Sequence, residues 1–130
     1  MATLLLLVLA LPAQAASPRL VLVGGGERPP AAMKRFVEWA GGASARLVVG
    51  PWASAEPDAA SVLAGELRPF APAALAAAPS TAAVRELDIL LSSATGVFFT
   101  GGDQVNLMAA VEQAGLAERF RTMARAGVVF

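Results

Sequence analysis

The strongest constraint on this sequence is a set of apolar runs that each stop at glycine: RLVLVGGG at residues 19–26, ARLVVGPW at 45–52 and GVFFTGGDQ at 96–104. Near-continuous apolarity over so short a length suits a parallel strand covered on both faces, so Arg19–Gly26 is expected as a central strand. Arg46–Val49 and Val97–Phe99 read as further strands. Between the runs the period changes. Pro30 suits the first turn of a helix, and Met33, Phe36, Val37 and Ala40 then recur at helical spacing until Gly41 and Gly42 end the segment. Ala59–Leu67 predicts a helix with Val62, Leu63 and Leu67 inward. Pro69, Pro72 and Pro79 argue against one regular helix in PFAPAALAAAP, where a short strand is expected near Ala73–Ala77. Thr81–Ser92 is expected to contain a helix.

After Phe99, Asp103 can cap the next helix by accepting orphan backbone N–H groups. Leu107, Ala110, Val111 and Ala114 form its inner face and Gly115 breaks it. Leu116, Phe120, Met123 and Ala124 line another helical segment, which Gly127 ends, and Val128–Phe130 begin a further strand. Strands alternating with helices in this way predict an α/β fold, a three-layer αβα open parallel sheet. Ligands of such sheets bind beyond the carboxyl ends of the strands, which is where GGG, GPWAS and TGGDQ all fall.

Ten basic residues balance ten acidic ones without forming a stripe, so no nucleic-acid partner is expected. The chain has no cysteine and no histidine. That removes disulfides, thiolate nucleophiles, the usual neutral-pH base and the commonest metal ligand, and no metal site is expected. The apolar run Leu4–Leu11 is too short to span a bilayer as a helix, and Ala13-Gln14-Ala15 follows it in an A-x-A pattern. Residues 1–15 therefore read as a secretory signal peptide, which places the mature chain outside the cytoplasm, secreted or periplasmic, with no membrane attachment after cleavage. Its amino-terminal end carries no Lys or Arg, and the first charge is Arg19.

The glycines do not form a nucleotide fingerprint. After Gly24 and Gly26, a GxGxxG pattern needs glycine at position 29, where Pro29 stands, and there is no GxxxxGK[ST] loop. No cofactor is expected. Gly24, Gly25 and Gly26 suit a tight turn after a strand, with Gly25, Gly26 and Glu27 as candidates to face a site. Gly101 and Gly102 expose N–H groups without side-chain obstruction and could face a developing oxyanion. Asp103 reads both as a cap and as a site residue, and Gln104 can donate to and accept from a peptide substrate. Trp52 lies on the loop after the second run, as a packing residue or pocket wall. Ser54 has no base beside it and no G-x-S-x-G elbow, so it is not expected to be a nucleophile.

In combination, LVLVGGGERPPAAMKRFVEWAGG, ARLVVGPWASAEP and ATGVFFTGGDQ resemble the cyanophycinase branch of the S51 serine peptidases, which includes the aspartyl dipeptidases. The resemblance covers about Arg19 to Phe130. It implies a fold like the class I glutamine amidotransferase domain and hydrolysis of peptide or β-aspartyl isopeptide bonds, with an acidic peptide or cyanophycin-like polymer as substrate. In the family a serine in a GTSAGA-like turn is the nucleophile and a histidine its base, without a metal. That turn follows the strand matching Gly127–Phe130, so the resemblance makes residues 19–130 the N-terminal part of the domain. No catalytic residue is then expected here and the chain alone is expected to be inactive. Gly101 and Gly102 match glycines beside the oxyanion site, Asp103 and Gln104 match residues shaping the substrate pocket, and Glu27 matches a site-facing loop position. A non-catalytic peptide-binding protein on the same half-fold is the alternative reading, with homo-oligomerisation left open. A cysteine-type amidotransferase is disfavoured by the lack of cysteine.

Overall fold

The computed structural model describes residues 17–79 and 84–130. The expected signal peptide, residues 1–15, and the start of the expected helix at 81–83 lie outside them. Eight elements follow in chain order: α1 Pro30–Trp39, β1 Arg46–Gly50, α2 Ala59–Leu67, β2 Ala74–Ala77, α3 Val84–Ser92, β3 Gly96–Phe99, α4 Gln104–Gln113 and α5 Ala117–Arg125. The three strands form a parallel sheet in the order β2-β1-β3. Leu47 is in register with Gly96 and with Leu75, and Val49 with Phe98 and Ala77. The architecture is the expected α/β open parallel sheet flanked by helices.

Alternation along the strands creates two cores. Leu47 and Val49 of β1 meet Met33, Phe36 and Val37 of α1 and Leu63 and Leu67 of α2. Val48 and Val97 point the other way, toward Leu87 and Leu91 of α3, Val111 of α4 and Met123 of α5. Both faces are covered because side chains of opposite parity are both apolar, as the continuous runs require. Phe36 sits edge-on to Phe98, with ring centroids 4.9 Å apart. Each fully buried aliphatic or aromatic side chain contributes about 1.5–3 kcal/mol.

Two details differ from the sequence reading. Arg19–Gly26 is not a central strand. Beyond β3 the sheet is extended by Val129, which bridges both Gly96 and Arg19 in parallel. Val97 N–H donates to Val129 O at 2.8 Å, and Val21 N–H donates to Phe130 O at 2.7 Å. Residues 19–21 are thus the outermost pairing on that side, with Leu20 60% and Leu22 83% exposed while Val21 packs on the core. Apolar composition could not distinguish this position from a central one, because it carries no information on pairing partners. In α2, Val62 is 48% exposed, whereas Ala60, Leu63, Ala64 and Leu67 are buried. Those four follow the i, i+3, i+4, i+7 stripe, and residue 62 falls outside it.

The proline-rich stretch resolves as expected into a short strand, β2. Pro69 lies in a 3₁₀ turn, Arg68–Phe70, and Ala71 then turns the chain at φ 50°. Gly115 and Gly127 end α4 and α5 at φ 64° and 92°. Val129 is fully buried. Among the described residues no helix is long and apolar enough to cross a membrane.

Candidate functional site

The loops after β1 and β3 run side by side. Thr100 N–H donates to Gly50 O at 3.0 Å, and Asp103 N–H donates to Ala53 O at 2.8 Å, so the ladder between the strands continues into the loops. This close approach explains one of the two glycines. At Gly102 φ is +142°, and a Cβ would be driven into the carbonyl oxygen of Ala53, 2.5 Å from its carbon and 2.9 Å from Ser54 N. Only a residue without a side chain fits there. Gly101 is different: an added Cβ would meet no atom within 4 Å.

A cleft of about 480 Å³ opens at the carboxyl ends of the strands, lined by Leu20–Gly26, Arg28, Phe98–Gly102 and Phe130. Gly24–Gly26 and Thr100–Gly102 therefore converge on one concave site at the strand ends, whereas no residue of the third segment, GPWAS, lines it. Gly25, Gly26, Gly101 and Gly102 all line it. Among the described residues, the N–H groups of Gly101 and Gly102 have no backbone acceptor.

The other residues named from sequence sit around the cleft without lining it. Asp103 is the N-cap of α4, its Oδ1 accepting the Val105 N–H at 2.7 Å, which satisfies an orphan donor of the first turn. Gln104 begins α4 and is exposed, as is Glu27 on the loop before α1. Trp52 is buried behind the β1 end. Its Nε1–H donates to Pro79 O at 3.2 Å, and its ring lies 6.0 Å from Phe99 and 6.4 Å from Phe120. Phe99 and Phe130 stack 6.3 Å apart, so the tryptophan reaches the cleft wall through aromatic neighbours that themselves line it. Ser54 Oγ accepts the Glu56 N–H at 3.0 Å, a local turn contact.

Two cleft residues were missed in the sequence. Arg28 lines the cleft while forming a two-pronged pair with Glu66 of α2: Nε to Oε2 and Nη2 to Oε1, each 2.6 Å. The hydrogen bond from Arg28 holds the Glu66 carboxyl below its ordinary range, and the same bond raises the guanidinium, in both cases against the effect of burial. The partners are far apart in sequence, so no local pattern announces them. Thr100 is the second. It is buried, and among the described residues its Oγ1 has no hydrogen-bond partner. It opens the TGGDQ motif, and its place between strand and glycines was the available signal.

The polar groups of the cleft include the Arg28 guanidinium and the backbone of the glycine segments, with the Thr100 hydroxyl buried behind them. Among the described residues no Asp or Glu side chain belongs to its lining. With no histidine or cysteine in the chain, these residues can bind and polarise an acceptor group, and they supply neither an imidazole nor a thiolate. The family model of Peptidase family S51 matches residues 20–130. No curated protein sequence matches the chain.

Proposed function

Because the chain belongs to peptidase family S51, we propose that it forms the substrate-holding part of a serine-type hydrolase acting on peptide or β-aspartyl isopeptide bonds. The observation that carries this reading is the convergence of Gly24–Gly26 and Thr100–Gly102 on one cleft at the carboxyl ends of parallel strands. In this reading the amides of Gly101 and Gly102 face the scissile carbonyl, where donors stabilise charge that develops as the carbonyl is attacked. Gln104, at the rim, holds the peptide backbone, and Asp103 fixes the start of α4. The nucleophilic serine and its histidine are supplied from outside these residues, and their chemistry proceeds through a covalent acyl intermediate hydrolysed by water.

Titration of the ¹⁵N-labelled protein with β-aspartyl-arginine tests the reading. The expected result is a saturable shift of the Gly25, Gly101 and Gly102 amide resonances. Shifts confined to other surfaces, or none, overturn it. The lack of histidine and cysteine favours one second reading, a peptide-binding protein that uses the same cleft without turnover. Saturable binding with no cleavage by the protein expressed from its native gene identifies that case.

The same proposal includes export. Leu4–Leu11 followed by Ala13-Gln14-Ala15 has the layout of a cleaved leader. Amino-terminal sequencing of the mature protein is expected to begin at Ala16, and a retained Met1 refutes export by this route.

A further inference from the structure

Among the described residues lining the cleft, Arg28 is the one cationic side chain, and no Asp or Glu side chain shares that lining; its carboxylate partner, Glu66, belongs to α2. The walls around it are glycine backbone, Leu20–Val23 and the rings of Phe98, Phe99 and Phe130. The guanidinium is partly exposed and already paired with the Glu66 carboxylate. Its orientation is set from behind. Glu66 occupies Nε and one side of Nη2 through two short hydrogen bonds, fixing the plane of the fork, and among the described residues the remaining N–H groups have no side-chain partner. A preoriented arginine loses less freedom on engaging a ligand than a mobile one does.

We propose that Arg28 is a specificity-determining residue that receives a carboxylate of the ligand, with Glu66 as its positioning residue. The inference rests on the reading of the cleft as a peptide site and deepens it. The carboxylate accepts from the other edge of the guanidinium in a charge-assisted hydrogen bond. A carboxamide in the same place forms only a neutral acceptor contact with the guanidinium. The Glu66 carboxylate keeps the local charge balanced when the cleft is empty, so the selectivity is of moderate size.

Three probes separate the sources of that carboxylate: Asn-Ala-NH₂, which has none, Asp-Ala-NH₂, which has one on the side chain, and Asn-Ala, which has one at the terminus. Affinities are measured by calorimetry on the wild type, Arg28→Ala and Arg28→Lys, with urea unfolding to establish that each variant is folded. In the wild type at least one carboxylate probe is expected to bind about tenfold more tightly than Asn-Ala-NH₂. Arg28→Ala abolishes that advantage and weakens Asn-Ala-NH₂ by less than the carboxylate probes, since only a neutral contact is lost. Arg28→Lys, which keeps the charge and loses the fork, restores part of it. The inference fails if all probes bind wild type equally, or if Arg28→Ala weakens every probe alike. In either of those results the peptide reading of the cleft stands. If no probe binds the wild type, both fail together.

Discussion

The contrast between Gly101 and Gly102 tests the reading of the loops most directly. Replacing Gly102 by alanine puts a methyl group into the Ala53 carbonyl and 2.9 Å from Ser54 N, at a φ of +142° that side-chain-bearing residues rarely adopt. The obstacle is backbone, so no rotamer change relieves it. Backbone strain of this kind costs about 1–3 kcal/mol, and overpacking against an unyielding neighbour costs about 1–3 kcal/mol more. A combined loss of about 4 kcal/mol is a large share of the roughly 5–15 kcal/mol that holds a domain together. With a urea dependence of about 1–3 kcal/mol/M, the unfolding midpoint falls by roughly 2 M. The same shift separates the loops and breaks the 2.8 Å bond from Asp103 N–H to Ala53 O, so hydrogen-exchange protection at the Asp103 amide is lost. Gly101→Ala, with open space around its methyl, stays within about 0.5 kcal/mol of wild type. A Gly102→Ala midpoint within about 0.3 M of wild type, or equal losses at the two positions, refutes the account of why the glycines differ.

Three further outcomes are expected. Thr100→Val removes a buried hydroxyl without a partner among the described residues and raises stability by about 1 kcal/mol in urea unfolding, whereas a loss of that size means the hydroxyl is bonded. Leu63→Ala, at a fully buried position, destabilises by about 2–5 kcal/mol; Val62→Ala, half exposed beside it, changes stability by under about 0.5 kcal/mol. Because Arg28 lowers the Glu66 carboxyl in the folded protein, the pair's contribution is complete above the ordinary carboxylate range near pH ~4 and disappears as pH falls through the lowered folded value. The stability difference between wild type and Glu66→Gln, under about 1 kcal/mol for so exposed a pair, therefore shrinks toward zero in acid, and a difference that grows as pH falls reverses the sign of the argument.

The secondary structure was legible because its signals are local. A helical stripe such as Met33-Phe36-Val37, or a strand such as Val97–Phe99 ended by glycine, carries its own period, and many core residues are ones those periods pick out, although Leu87 and Leu91 were not among them and Val62, expected inward, is half exposed. The placing of the TGG loop at the carboxyl ends of the strands followed from topology, since every parallel strand delivers that end to the same side of the sheet; the GGG segment reaches it from a marginal pairing with Val129 and Phe130. Legibility stopped where one segment must choose another. Nothing in RLVLVGGG says that it will pair with Val129 and Phe130 at the margin instead of lying between two strands.

The site divides along the same line. The glycines, the Asp103 cap and the position of TGGDQ beyond a strand could be read from the chain. The union of Arg28 with Glu66 and the burial of Thr100 could not, and of the two readings of Trp52 it was the structure that chose packing behind Phe99. By itself, then, the sequence determined which segments become strands and helices and where their ends lie, because periodicity and backbone freedom act between near neighbours. Only the tertiary structure decided which glycine is held by a facing carbonyl and which cation looks into the cleft, because those outcomes depend on contacts between residues that meet only after the sheet has formed.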